Sequence, residues 1–129
     1  TTGTAAWESK AQALFQAFAG TVTQHPTGYP QLLIALAFAA GPSQEIVLAG
    51  APGDPQLQAM LRLVRRTFLP NAVVLLHPPG AAGQAIEALV PSVAPQTVVQ
   101  GRPTAYVCHG FVCRQPVTSA EVLKESLHV

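Results

Sequence analysis

The amino-acid sequence predicts an α/β fold, in which two N-terminal helices precede a small, mostly parallel sheet with flanking helices in βαβ-based, Rossmann-like layers. Apolar residues first recur at helical spacing, and after Gly41-Pro42 they form short continuous runs instead. Two of these runs flank a helical segment, which is the order of a βαβ unit. With 129 residues and 49% hydrophobic content, the chain can bury a core without disulfides or metals.

The first 42 residues are predicted to be a helical segment. Apolar residues recur every three or four positions over 4–23, and His25-Pro26 ends this first helix because proline disfavours a helical residue before it. A second helix is predicted from Tyr29-Pro30 to Gly41-Pro42, and it is apolar on all sides. Such a helix needs neighbours on several sides, so we expect further polypeptide to cover it.

Residues 43–129 are predicted to form a small α/β domain. Short apolar runs at 46–49 and 72–76 predict two buried strands, and the helix between them begins at Asp54-Pro55, where Asp54 can act as N-cap. Thr118 and Glu121 fit a capping box for the last helix. The remaining elements are predicted as a helix over 83–90, a weak strand over 97–100, a strand over 104–108 with a hairpin partner at 111–113, and a final helix over 119–127.

Composition argues against several classes of partner. The net charge is +1, which provides no basic surface for nucleic acid, and no apolar run approaches the roughly 20 residues that a membrane span needs. Only 10% of residues are charged, so we expect apolar surface that meets upstream domains or a second copy of the chain. The chain begins without Met or a secretory leader, from which we expect a segment of a longer, cytoplasmic protein.

A candidate ligand edge follows the two predicted parallel strands. Gly50, Gly53 and Asp54 lie after the first strand and His77 after the second, where α/β folds often bind small molecules. The turn lacks the G-x-G-x-x-G spacing of nucleotide-binding loops, and its prolines remove N–H donors. A structural turn and helix cap is therefore the favoured interpretation, and His77 is expected to be an ordinary loop histidine.

Cys108 and Cys113 are the two cysteines of the chain. Their spacing differs from the C-x-x-C of thioredoxin-type redox sites and of most zinc sites, so redox catalysis is not expected from the pattern. They face each other if 109–112 form a four-residue loop, and they lie diagonally if His109-Gly110 is a two-residue turn. Unlinked thiols, a disulfide and a metal site all remain open, with unlinked thiols favoured. No catalytic residue, cofactor or complete metal site is predicted.

Several segments match a known family. The matching segments are the runs Gly101 to Cys108 and Phe111 to Cys113, Pro116-Val117-Thr118, Tyr29 to Leu33, and Arg65 with Phe68-Leu69-Pro70. They resemble the C-terminal region of the thioredoxin-domain-containing family that includes spermatogenesis-associated protein 20 and its bacterial relatives. The resemblance covers nearly the whole chain.

The resemblance implies a place in a larger protein. In that family a thioredoxin-like domain comes first, followed by a helical barrel similar to six-hairpin glycosidases, and then this tail. Residues 1–42 would be the end of the barrel, and 43–129 a non-catalytic accessory domain of a protein whose uncertain activity is carbohydrate-related. The alternative is an independent thiol redox or metal-binding module that uses Cys108 and Cys113.

Overall fold

The structure is a computed structural model that describes residues 5–110 and 112–127, and it divides the chain into a helical unit that ends at Pro42 and an α/β unit that begins at Ser43. In chain order the elements are α1 (Ala5–Gln24), α2 (Pro30–Ala40), β1 (Gln44–Ala49), α3 (Pro55–Arg66), β2 (Ala72–His77), α4 (Ala81–Leu89), β3 (Thr104–His109), β4 (Val112–Cys113) and α5 (Ala120–Ser126). Short 3₁₀ turns at Pro26–Gly28 and Pro91–Val93 precede α2 and β3 respectively.

The helical unit consists of α1, a 3₁₀ turn and α2. Pro30 occupies the first turn of α2, where its missing N–H is not needed. The Phe18 and Tyr29 rings pack across the bend with their centroids 6.1 Å apart. No residue of α1 or α2 is buried, although α2 carries no charged side chain. No described helix is both long enough and apolar enough to cross a membrane.

The α/β unit contains a four-stranded mixed sheet in the order β2-β1-β3-β4. β1 and β2 are parallel and are joined by α3, whereas β3 is antiparallel to both β1 and β4. The prediction of a mostly parallel sheet is therefore wrong. The chain after α4 returns to the carboxyl end of β1, where Thr104 pairs with Ala49, so β3 runs backwards along β1.

Helices cover both faces of the sheet. β1 is one of the two inner strands, and its side chains alternate between these faces. Ile46 and Leu48 pack against α3 and α5, while Val47 packs against Val90 and Val93 after α4. All of these side chains are buried. The sheet thus has one larger core beneath α3 and α5 and a smaller one beneath α4.

Two local predictions differ from the structure. Residues 97–100 do not form a strand: Val99 and Arg102 make one isolated bridge, and Gln100 adopts a positive φ of 52° between them. The last helix is capped by Ser119, whose hydroxyl accepts from the Val122 N–H at 3.3 Å, and not by Thr118. The Thr118 carbonyl is engaged instead by the side-chain amide of Gln56 in α3.

Candidate functional site

A cleft of about 260 Å³ lies at the carboxyl ends of β1 and β2, beside the start of α4. Its lining residues are Gly50, His77, Pro78, Pro79, Gly80, Gln84, Glu87, Thr97 and Val98. Two residues of the predicted ligand edge, Gly50 and His77, are therefore brought together here. Gly53 and Asp54 do not line this cleft.

Asp54 has a structural role at the start of α3. Its carboxylate accepts hydrogen bonds from the Gln56 N–H at 2.8 Å and the Leu57 N–H at 3.3 Å. These two N–H groups have no partner within the helix, and a carboxylate also interacts favourably with the positive end of the helix dipole. The sequence-based interpretation of Asp54 as an N-cap matches this geometry.

His77 is the polar centre of the cleft. It is the last residue of β2 and is only 6% exposed, so the expectation of an ordinary loop histidine is wrong. Its Nδ1 lies 2.7 Å from the backbone oxygen of Gln96, and its Nε2 lies 2.9 Å from Oε1 of Glu87. Both partner atoms are oxygen acceptors, so each contact is a hydrogen bond when the ring nitrogen that faces it carries the hydrogen.

Close packing of α4 positions the carboxylate beside this histidine. A Cβ atom on Gly83 would lie 2.1 Å from the Pro78 carbonyl oxygen and 3.3 Å from the His77 ring. Only glycine allows α4 to approach the end of β2 so closely. Glu87 lies one helical turn after Gly83, on the same face of α4, which brings it to His77. The Glu87 side chain is 35% exposed and forms part of the cleft wall.

Cys108 and Cys113 form a disulfide that links β3 to β4. The two residues are directly paired across the hairpin, and the next pair is His109 with Val112. Gly110 has a φ of 53°, which suits glycine at such a position. Phe111 lies outside the described residues. The two cysteines therefore face each other, as expected for a loop over 109–112 and not for a His109-Gly110 turn, and the preference for unlinked thiols is wrong.

Gln96 connects the disulfide with the cleft. Its Nε2 lies 3.6 Å from the Cys108 sulfur and 3.5 Å from the Cys113 sulfur, while its backbone oxygen contacts His77. Its Oε1 atom is buried and has no hydrogen-bond partner among the described residues. Neither Gln96 nor Glu87 belongs to a sequence motif. Both reach the site only through the packing of α4 and the following loop, so the sequence alone did not indicate them.

Tyr106 completes the polar surroundings on the same face of the sheet as Cys108. Its hydroxyl donates to the backbone oxygen of Thr97, which lines the cleft, at 2.6 Å. Burial raises the pKa of Tyr106 above its usual value. In the part of the chain that the structure describes, no group of three or more His, Cys, Asp or Glu residues could hold a metal ion.

Comparison with known proteins supports the sequence-based resemblance in its coarser form. The chain is similar to spermatogenesis-associated protein 20. Identity is 27% to the protein of Rattus norvegicus and 26% to those of Homo sapiens and Mus musculus, in each case over 127 residues. These matches cover 98% of this chain but 16% of each relative, so the chain spans about one sixth of the length of these proteins.

Other comparisons add no further assignment. No protein-family model matches the chain, and no solved structure matches it. The similarity is consistent with a region of a larger protein, and it leaves the presence of a thioredoxin-like domain to be tested.

Proposed function

We propose that this chain is the non-catalytic C-terminal accessory part of a larger cytoplasmic protein, in which preceding helices cover the apolar faces of α1 and α2. In this proposal a thioredoxin-like domain and a six-hairpin-glycosidase-like helical barrel lie upstream, and any carbohydrate-related activity belongs to them. In the same proposal α1 and α2 are the end of the barrel, and the α/β unit is an accessory domain appended to it. No cofactor is assigned to this chain.

The apolar character of the helical unit is the observation that carries this proposal. Trp7 and Ile34 are each 63% exposed, and Leu14 is 55% exposed. Large exposed apolar patches on a protein generally mark an interface. The polypeptide that would cover this surface is the rest of the longer protein, since about five sixths of each relative lies outside the matched region.

The grooves of the helical unit fit side chains of neighbouring helices. One groove of about 330 Å³ between α1 and α2 is lined mainly by apolar residues such as Phe15, Val22 and Leu33. A second groove of about 350 Å³ lies beside Phe18 and Pro30. Ridges of apolar side chains from another helix fill grooves of this kind when helices pack.

The test compares one substitution in two proteins. Ile34→Glu is expected to reduce self-association of the 129-residue chain, measured by sedimentation, because it places a charge on the exposed apolar face. In a longer protein that carries the upstream helices, the same change is expected to destabilise folding by roughly 3 kcal/mol or more, since it buries an unpaired charge.

Phe68→Glu is the matched control, because Phe68 is 89% exposed in the α/β unit. It should leave the stability of both proteins almost unchanged. If Ile34→Glu has the same small effect in both proteins, no upstream helix covers α2 and the proposal is wrong.

A further inference from the structure

The two sulfurs of the disulfide differ in their access to solvent. Cys108 is 2% exposed near the end of β3, whereas Cys113 lies on the exposed strand β4. A thiolate from solution can therefore reach the Cys113 sulfur and not the Cys108 sulfur. Exposed disulfides are the ones that exchange readily with thiols.

The disulfide contributes little as a structural link. A disulfide stabilises a protein chiefly by restricting the unfolded chain, and this effect is smallest for short loops. Cys108 and Cys113 are five positions apart and are already paired between β3 and β4. Further hydrogen bonds hold the same edge, since the N–H and C=O groups of Ala105 pair with those of Val117. The fold should therefore survive reduction.

We propose that Cys108–Cys113 is a reversible thiol–disulfide exchange site for dithiol reductants, and that Gln96 transmits its redox state to His77 in the cleft. One thiolate of the reductant attacks the Cys113 sulfur and forms a new S–S bond. The Cys108–Cys113 bond breaks, and its electron pair leaves on the Cys108 sulfur, which takes up a proton.

The second thiolate of the reductant completes the exchange. It attacks the reductant's own sulfur in the mixed disulfide and releases Cys113, which is also protonated. The cystine has then gained two electrons and two protons, and the dithiol has been oxidised to its disulfide. An oxidised dithiol reverses the same steps, so the site responds to the ratio of dithiol to disulfide around it.

Gln96 assists the step in which Cys108 departs. Its side-chain N–H groups face both sulfurs, and a donor at 3.6 Å stabilises negative charge that develops on the Cys108 sulfur. Its buried Oε1 lacks a partner because disulfide sulfurs have no hydrogen to donate. After reduction each thiol carries one S–H group. Rotation of the Gln96 amide can then give Oε1 a donor.

The same residue holds the histidine of the cleft. The Gln96 backbone oxygen lies 2.7 Å from His77 Nδ1, so a shift of Gln96 upon reduction changes the environment of the imidazole. His77 in turn contacts Glu87 at the cleft wall. Reduction or oxidation of the disulfide in the β3–β4 hairpin thereby changes the surroundings of His77 at the carboxyl ends of β1 and β2.

The experiment uses the full 129-residue chain with dithiothreitol as the reductant. In a separate reaction, glutathione carries a single thiol, so it can form the mixed disulfide but cannot complete the exchange within one molecule. We expect it to be found on Cys113 by peptide mass spectrometry, with Cys108 free to react with an alkylating agent. Gln96→Met retains the backbone oxygen but removes the side-chain donor, so dithiothreitol should reduce this variant roughly threefold to tenfold more slowly. Gln115→Met is the matched control at an exposed position beside Cys113, and its rate should equal that of the wild type.

Coupling to the cleft is measured by NMR of the His77 ring, assigned with His77→Gln. Reduction of the wild type should shift these ring signals, and a Cys108→Ser/Cys113→Ser variant should show the shifted signals without reductant. Mixed disulfide at Cys108, equal reduction rates for Gln96→Met and wild type, or unchanged His77 signals after full reduction would each overturn the proposal. The glutathione and NMR measurements use the wild type, so they decide the matter even if Gln96→Met does not fold.

Discussion

Gly83 provides a sharp test of how the cleft is built, because a methyl group there should have the opposite effect from the one expected in an ordinary helix. Replacing glycine by alanine inside a helix usually stabilises it by about 1 kcal/mol. At Gly83 the added Cβ would lie 2.1 Å from the Pro78 carbonyl oxygen, so α4 would have to withdraw by about 0.9 Å to restore a separation of 3.0 Å.

Such overpacking typically costs about 1–3 kcal/mol, and withdrawal of α4 also stretches the contact between Glu87 and His77. The weakened contact between Glu87 and His77 offsets part of the gain in helix propensity, so we expect Gly83→Ala to destabilise the α/β unit by roughly 1–2 kcal/mol. Native-state hydrogen exchange of the buried amides of β1 measures this quantity for the α/β unit alone.

Gly20→Ala is the matched control, since Gly20 also lies inside a helix but a Cβ there meets no atom within 4 Å. It should raise the helical signal in circular dichroism and leave exchange in β1 unaltered. If the β1 amides of the Gly83→Ala variant exchange as slowly as those of the wild type, or more slowly, then α4 does not approach β2 as described and the geometry of the cleft is wrong.

Three further substitutions test the polar contacts around the cleft. Asp54→Ala should lower the free energy of unfolding by about 1 kcal/mol and Asp54→Asn by much less, since asparagine also caps helices; urea denaturation would show whether the two variants differ. His77→Ala should cost about 2–3 kcal/mol because it removes a buried side chain and leaves the Gln96 backbone oxygen without its partner, whereas Glu87→Ala should cost under about 1 kcal/mol at its partly exposed position; equal losses would contradict the described burial. Because burial raises the pKa of Tyr106, this residue stabilises the folded state below the unfolded pKa of about 10, and the stabilisation is lost as pH rises through the folded pKa. Tyr106→Phe should therefore lose less stability than the wild type in alkaline solution. Parallel curves of unfolding free energy against pH for the two proteins would refute the raised pKa.

Local pattern alone predicted a large part of the architecture. The Asp54-Pro55 pair identifies the start of α3, because a capping carboxylate and a proline in the first turn both act within a few residues. The apolar runs likewise identify β1 and β2. Each of these features depends on the order of residues within one element.

The direction of β3 and the assembly of the cleft depended on tertiary structure. An apolar run such as that of β3 fits a sheet equally well in either direction, so the path of the chain after α4 decides that β3 is antiparallel to β1. His77 meets Glu87, ten positions later, because Gly83 lets α4 approach the end of β2, and it meets Gln96, nineteen positions later, through the path of the loop after α4. Sequence spacing sets periodicity within an element, whereas contacts between elements follow from how closely their backbones can pack.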